Sequence, residues 1–474
     1  MKSAIWPHSI LHRQAWEQAA ARLQAGETAL LGLWGEPGQA HMAVLENATN
    51  ACAAFSVACE GNRYPSVGRL HPPAIRPERA IRDLAGLEPE GLPDTRPWLH
   101  HGGAYRFLPA EGESLHQIPV GPVHAGIIEP GHFRFTANGE TVVRLEERLG
   151  YAHKGTDALM AGASIERAAV LAGRVSGDST VAFALAFARA VETALETEIP
   201  PRAVWLRALL AELERLANHF GDIGAVCNDA AFAIMHAQFG LLRERVLRAA
   251  DACFGHRLMM DRIVPGGLSC DLPADGGRIL LALVAQVRKE FPDLVEVYDN
   301  TASLKDRTVG TGILSPALAR QYAAGGYVGR ASGRNFDARR APGYPPYGRL
   351  QFDVPVVHTG DVNARVWIRI REVEQSLALI EQILAVLPSG AVRVPLPAGP
   401  AAAMREGVAL VEGFRGDVLA WVRIGAEGRV ERSHLRDPSW FQWPLLEAAI
   451  EGNIVADFPL CNKSFNCSYS GHDL

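Results

Sequence analysis

Two long apolar stripes at helical spacing restrict the folds open to this chain. Between Val204 and Phe220, the residues Trp205, Leu209, Leu213, Leu216 and Phe220 recur at intervals of 4, 4, 3 and 4. Between Ile370 and Leu387, the residues Ile370, Val373, Leu377, Ile380, Leu384 and Leu387 recur at 3 and 4. An α-helix turns once in 3.6 residues, so each set shares one face and must be buried against another apolar face. The stripes therefore predict the core of a helix bundle. A third apolar run, Val181 to Ala188, stops at Arg189, far short of the roughly 18–20 apolar residues that span a bilayer.

Strand signals sit around this helical centre. Phe133, Phe135, Val142, Val143 and Leu145, with Asn138-Gly139 between them, predict a hairpin within Gly121–Leu149, and Val418 to Val430 predicts another. Trp440 to Ile450 reads as a helix, and the Gly-, Pro- and Tyr-rich segment Gly325 to Pro355 as an ordered excursion between helices. Residues 1–110 have a different texture. A helix (HRQAWEQAAARLQ) precedes two apolar runs, Ala29–Trp34 and Ala51–Cys59, broken by Gly35-Glu36-Pro37-Gly38. A proline- and charge-rich connector with one short helix near Arg76-Pro77 follows. The expected class is α+β, mainly α: a small α/β domain over 1–110 and a helical domain with peripheral β-hairpins over 111–474. The glycines of GLWGEPG lack the Lys and Ser/Thr of a phosphate-binding loop and read as a turn.

With 474 residues and a net charge of -5, the chain is long enough for a large core and has no global field that would attract nucleic acid. Its seven cysteines are scattered with no CxxC pair, so neither a disulfide framework nor a zinc or iron–sulfur set is visible, and a reducing compartment is expected. The first twenty residues hold no apolar stretch of signal-peptide length. No GxGxxG unit is present, which leaves any NAD to another subunit.

Four stretches carry a family likeness: Gly121-Pro122-Val123-His124 leading into EPGHFRF; GYAHKGTDALM; IPPRAVWLRALLAELERLANHFGDIGA; and DRTVGTGILS with GDVNARVWIRIREVEQSL. Covering most of residues 118–390, they resemble the large subunit of membrane-bound, energy-converting [NiFe] hydrogenases of the hydrogenase-4 or formate hydrogenlyase type, and the related quinone-site large subunit of respiratory complex I. The upstream PPAIRPERAIRDLAGLEPEGLPD resembles the end of complex I's small peripheral (30 kDa-type) subunit. The resemblance implies a hydrogenase-like helical bundle held against an iron–sulfur small subunit that carries the cluster. Antiporter-like membrane subunits would anchor the assembly, so the chain would lie in the cytoplasm, peripheral on the inner membrane, touching it through partners only.

What the family's ligands become here is specific. A nickel–iron centre needs four soft thiolates, supplied in the family by two CxxC pairs. The early pair maps onto Ser176 and Ser179, the late one onto Cys467 and Ser470; Cys461 lies six residues before Cys467, off the pattern. Hydroxyls are poor soft ligands at neutral pH, so a [NiFe] centre is not expected, and the metal candidates reduce to Cys467 and Cys461, with His472 and Asp473 nearby. The family's proton-moving glutamate corresponds to Asp157. In complex I the vacated cavity takes a quinone headgroup, using a His, a Tyr and an Asp; here these positions are His124, Leu171 and Asp229, so the phenol is missing while an imidazole and a carboxylate remain for proton delivery. His132 and His153 are further relay candidates, and Arg307, Arg334, Arg339 and Arg340 could anchor a partner or lie solvated in loops. The expected function is the large subunit of a membrane-associated oxidoreductase complex, coupling electron transfer from an iron–sulfur partner to proton or quinone chemistry through His124, Asp157 and Asp229. A non-catalytic scaffold and a divergent hydrogenase are the alternatives.

Overall fold

A computed structural model describes residues 6–123, 128–397 and 404–474. Strand β1 (His8–Leu11) leads into helix α1 (Arg13–Gln24), which starts where the His12 imidazole accepts the Ala15 N–H, and which buries Trp16, Ala20 and Leu23 on one face. Strands β2 (Thr28–Glu36) and β3 (Gln39–Glu46) form a hairpin across Pro37-Gly38, and β4 (Cys52–Ala58) returns beside β3 to give the order β1-β4-β3-β2, with β1 parallel to β4. The sequence shows β2 and β4 but not β3. That strand is central and buried along nearly its whole length, so it lacks the period-two alternation of a half-exposed strand. Strand β5 (Arg63–Pro65), helix α2 (Ile75–Ala85) and strand β6 (Glu88–Glu90) follow, the two strands pairing in parallel. One face of the four-stranded sheet packs on α1 and α2 through Leu30, Leu33, Met42 and Val44, and the other joins the main core through Leu31, Trp34 and Leu45.

Strands β7 (Leu115–Val120), β8 (His132–Asn138) and β9 (Thr141–Arg148) make an antiparallel sheet whose β8–β9 turn is Gly139-Glu140, one residue on from the expected Asn138-Gly139. Short helices α3 (Thr156–Met160) and α4 (Ile165–Ala172) then enter the bundle: α5 (Thr180–Ala194), α6 (Pro201–Asp229) and α7 (Ala233–Phe254). A minimal hairpin, β10 (Ile263–Val264) with β11 (Gly267–Leu268), precedes α8 (Gly276–Asn300) and three short helices, α9 (Ala302–Thr308), α10 (Pro316–Gln321) and α11 (Gly326–Ala331). Helix α12 (Val362–Val386) completes the bundle, its N-terminus capped by the Asp361 carboxylate accepting from Ala364 N–H. The α6 stripe is buried, as is the α12 stripe from Ile370 to Ile380, while Leu384 is partly buried and Leu387, also partly buried, lies just past the end of α12; these two helices pack on each other.

Helix α5 is buried along almost its whole length because its other side is covered by the C-terminal sheet, β12 (Arg405–Glu412), β13 (Asp417–Ile424) and β14 (Val430–Arg436). The approach is so close that a side chain at Gly407 would strike the Ala190 carbonyl. The sequence shows the β13–β14 hairpin but not β12. Helices α13 (Ser439–Ile450), α14 (Phe458–Phe465) and α15 (Tyr469–Asp473) end the chain against the β7–β9 sheet and α6. Among the described residues no single helix is long and apolar enough to cross a membrane.

Candidate functional site

Three loops meet around the positions that the resemblance assigns to metal ligands. The first runs from Arg174 to Ser179 into α5. Its end is fixed by Glu214 on α6, whose carboxylate accepts the free N–H groups of Val181 (2.7 Å) and Ala182 (3.1 Å) at the start of α5. The second is the turn Asn466–Ser470, opened by Asn466 at φ 47° and held by Ser468, whose hydroxyl accepts the Gly471 N–H at 2.9 Å. The third is the Lys154-Gly155 turn: Lys154 Nζ donates to the carbonyls of Arg174 and Val175 at 2.9 and 2.6 Å, and its backbone N–H donates to the Leu474 carbonyl oxygen at 2.8 Å. Ser176 and Ser468 thereby come within 3.4 Å, hydroxyl to hydroxyl.

An ion pair ties the first two loops together. Arg415, in the β12–β13 turn and 3% exposed, donates to Asp178 Oδ2 at 2.6 Å, to Ser179 Oγ at 3.0 Å and to the Asn466 carbonyl. Ser176 and Ser179 both donate to Asp178 Oδ1, the latter at 3.2 Å. Burial opposes ionisation of Asp178, but Arg415 and the two hydroxyls outweigh it and hold the carboxyl below its ordinary range. Thus Ser176 and Ser179 do not stand as vacant ligands. They complete a polar clasp that sequence reading missed, although the acid between the two serines of SGDS was in plain view.

The surviving thiols are poor donors. Cys467 is buried and its thiol is pushed well above its usual value, and burial likewise raises that of Cys461 to about 11. Cys461 lies under Gly312, whose φ of 62° and missing side chain leave room for the sulfur. His472 and Asp473 are occupied elsewhere: Trp98 Nε1 donates to His472 Nε2 at 3.2 Å, His472 Nδ1 pairs with Asp473 at 2.7 Å, and the Asp473 carboxylate accepts the N–H groups of Gly150 (2.9 Å) and Ala152 (2.8 Å). Ser470 contributes its backbone N–H to Glu129 at 3.0 Å. Among the described residues no three His, Cys, Asp or Glu side chains are arranged to hold a metal ion. The donor set does not fit a nickel–iron centre: hydroxyls, an arginine and two buried thiols offer at most two soft ligands where four are needed.

The quinone-type residues are spread along the same region. Asp229 ends α6 half-buried; burial raises its pKa, and Lys463 on α14 opposes that rise. Two turns earlier on the same helical face, Asp222 accepts from Asn466 Nδ2 at 2.9 Å and from Arg369 at 3.1 Å, which links α6 to the Cys467 turn. The spacing of seven between Asp222 and Asp229 signals one face, a clue available in the sequence. Leu171 on α4 packs against the main core and brings no polar atom. His124 lies outside the described residues; the His132 ring pairs with the Gly121 carbonyl at 2.9 Å. Asp157, on α3, turns to a different neighbour, His434 on β14, at 3.8 Å.

The arginines set aside for a partner prove mostly structural. Arg339 is 2% exposed and pairs with Asp337 (2.7 Å) and Glu212 (2.9 Å); Arg334 donates to the Ala324 carbonyl at 2.9 Å; Arg340 lies 3.9 Å over Phe352. Arg307 bonds Asp457 at 3.2 Å, and the His153 ring meets the Asp473 carbonyl at 2.7 Å. Arg339 belongs to a buried network that the sequence does not reveal: Glu212, Asp337, Glu372 and Glu412 face Arg215, Arg330 and Arg339, with His219 bonded to Glu372 at 2.7 Å. Four carboxylates meet three guanidiniums. Burial and the nearby Asp337 carboxylate push Glu412 up to about 7, and burial lowers the pKa of His219.

Known proteins share this fold. Residues 229–400 match the family described as "Respiratory-chain NADH dehydrogenase, 49 Kd subunit". Formate hydrogenlyase subunit 5 of Escherichia coli is 32% identical over 463 residues, which span 90% of this chain and 80% of that protein. The chain belongs to this family of large subunits. Hydrogenase-4 component G of the same organism is 31% identical across 88% of this chain and 77% of the relative. A component of the NADH-quinone oxidoreductase of Roseiflexus is 31% identical, but across only 72% of this chain and 94% of the relative. Among solved structures, a chain of the membrane-bound sulfane sulfur reductase, an archaeal respiratory membrane complex, superposes with a TM-score of 0.71 at 26% identity, covering 76% of this chain and 99% of that one. In this family member the segment matching the family description contains Asp229 but neither the Ser176–Ser179 loop nor the Cys467–Ser470 turn, so the clasp lies outside it.

Proposed function

We propose that this chain is the electron- and proton-handling large subunit of a hydrogenase-4-like or complex I-like membrane complex, and that it works without a nickel–iron centre. The observation that carries the reading is the Arg415–Asp178 clasp with Ser176 and Ser179, a charged hydrogen-bonded cluster where the family's early thiolates would be. The similarity to a chain of a membrane-bound sulfane sulfur reductase supports it, since that complex is named for a reaction other than hydrogen turnover. The iron–sulfur partner supplies electrons, and this chain supplies protons. Asp229, half-buried with its pKa raised, holds a proton more readily than a surface aspartate, and Lys463 stabilises the anion once the proton leaves. His124, which the family resemblance assigns, is the second donor, and a quinone headgroup is the acceptor that suits two such groups; reducing it to the quinol consumes two protons with two electrons. Asp157 connects to a separate imidazole, His434, and serves proton exchange with solvent. Antiporter-like subunits hold the assembly on the cytoplasmic face of the inner membrane.

Two measurements on the purified complex test this. Nickel should be far below one atom per chain; one nickel per chain would remove the central claim. In assembled complexes His124→Ala and Asp229→Asn should each lower electron transfer at least tenfold, and unchanged rates would make the chain a scaffold.

A further inference from the structure

Away from the clasp, a closed ring of polar side chains joins the N-terminal sheet to the C-terminal one. Ser56 Oγ on β4 lies 2.6 Å from His8 Nε2 on β1 and 2.7 Å from His41 Nδ1 on β3. Each imidazole turns its other nitrogen to a carboxylate: His8 Nδ1 to Glu406 Oε2 on β12 at 2.9 Å, and His41 Nε2 to Glu36 Oε1 on β2 at 2.9 Å. Arg423 on β13 closes the ring, meeting Glu36 Oε2 at 2.6 Å and Glu406 Oε1 at 2.7 Å. Facing it from outside are Arg432 on β14, 4.0 Å from Glu36, and the rings of Trp34 and Trp421 against His41. His434 on β14 stacks on Trp34 and reaches the ring only across it. Ser56 and His41 are each 1% exposed, whereas the His8 imidazole is 32% exposed.

The proton count sets the charge of the ring. Four close contacts run from Glu406 through His8, Ser56 and His41 to Glu36, and each needs one proton between its two heavy atoms. A hydroxyl and two neutral imidazoles bring three. The carboxylates bring none: burial opposes their ionisation, but His8 and Arg423 hold Glu406 down at about 2, and His41 and Arg423 hold Glu36 below the usual range. With three protons, two lone pairs would face each other in one contact. Burial disfavours a charge on His41, which leaves the more exposed imidazole to carry it. We infer that the ring holds a fourth proton, carried by His8 as an imidazolium that donates to Glu406 and Ser56, and that this proton latches the N-terminal sheet onto β12 and β13. Ser56 then donates to His41 Nδ1, and neutral His41 donates from Nε2 to Glu36. Two carboxylates, one guanidinium and one imidazolium leave the ring with no net charge. None of the residues assigned above to electron or proton transfer belongs to it.

The test is histidine-selective nitrogen NMR of the full chain at a pH of about 7.5, where a solvent histidine is about 90% neutral, with His8→Gln and His41→Gln assigning the two rings. In the parent, His8 should show two protonated nitrogens and His41 a neutral ring protonated at Nε2. A glutamine at either end of the run supplies the missing proton from its amide. Glu36→Gln should therefore make His8 neutral and move the His41 proton from Nε2 to Nδ1. Glu406→Gln, at the more exposed end, should make His8 neutral and leave His41 unchanged. Stability gives a second readout. The fold keeps a proton that unfolded histidine gives up above about pH 6.5, so rising pH should lower the parent's folding equilibrium constant, from urea unfolding, relative to either glutamine variant. The relative loss should reach up to about tenfold per pH unit until the ring gives up its proton. A neutral His8 in the parent at that pH, an imidazolium that persists in both glutamine variants, equal pH dependence of all three proteins, or a zinc ion held between the two rings would each overturn the inference.

Discussion

Replacing Arg415 by methionine removes the one cation that joins the loop before α5 to the turn after α14. In the parent, the guanidinium satisfies Asp178, Ser179 and the Asn466 carbonyl and lies 4.5 Å over Phe414. Breaking a buried pair on one side costs about 3–5 kcal/mol, chiefly because the remaining charge stays in place without compensation. Here 34% of the Asp178 side chain still meets solvent, so water can take over part of Arg415's role and the lower end, about 3 kcal/mol, is expected. Asp178→Asn should cost less, about 1–2 kcal/mol, since a neutral amide still accepts one of the serine hydroxyls. The double variant should be more stable than the sum of the singles implies, by about 1–2 kcal/mol, because the second change removes the stranded charge. Urea unfolding of the four proteins at pH 7, in chelator-treated buffer, supplies the cycle. The sign with pH is fixed as well. Asp178 has a depressed folded pKa, so its contribution is present above the unfolded value of about 3.9 and is lost as pH falls through the lower folded value. Parent and Asp178→Asn should therefore converge in stability below about pH 4. Additivity within about 0.5 kcal/mol, or an Arg415→Met protein as stable as the parent, would show that the clasp does not hold these loops together.

Glu214 behaves oppositely: burial raises its pKa to about 8, so its ionisation destabilises the fold progressively from the unfolded value of about 4.3 up to about 8. Glu214→Gln should flatten the loss of stability with rising pH over that window, at the cost of one cap bond at α5. Thiol titration at pH 8 should modify Cys270 first, the one cysteine not fully buried, leaving Cys461 and Cys467 unreactive until denaturant exposes all seven. Arg174→Ala breaks only an exposed pair with Asp261, so unfolding should change by less than about 1 kcal/mol.

Periodicity is legible wherever one side of an element differs from the other, and this decides what the sequence discloses. The stripes on α6 and α12, the β8–β9 hairpin and α1 each have a face that is apolar and a face that is not, and each is found by spacing alone. Strands β3 and β12 escape because neighbours bury them on both sides or along half their length, so alternation is erased. The site divides along the same line. Two short motifs carry the resemblance that assigns Ser176, Ser179 and Ser470 to positions where the family has thiols. The clasp around Ser176 and Ser179 is not legible in that way, because it is assembled from Asp178 and Arg415, 237 positions apart, and from a backbone carbonyl that no side-chain pattern records. The same holds for Glu212 with Arg339 and for His8 with Glu406, each ordinary in its local sequence and significant only through a distant neighbour. A carboxylate with a guanidinium can replace a metal as the link between two loops because both are charge-compensating nodes with several directed bonds. Such a node holds a junction without soft donors, so charge pairing alone can keep two loops in register.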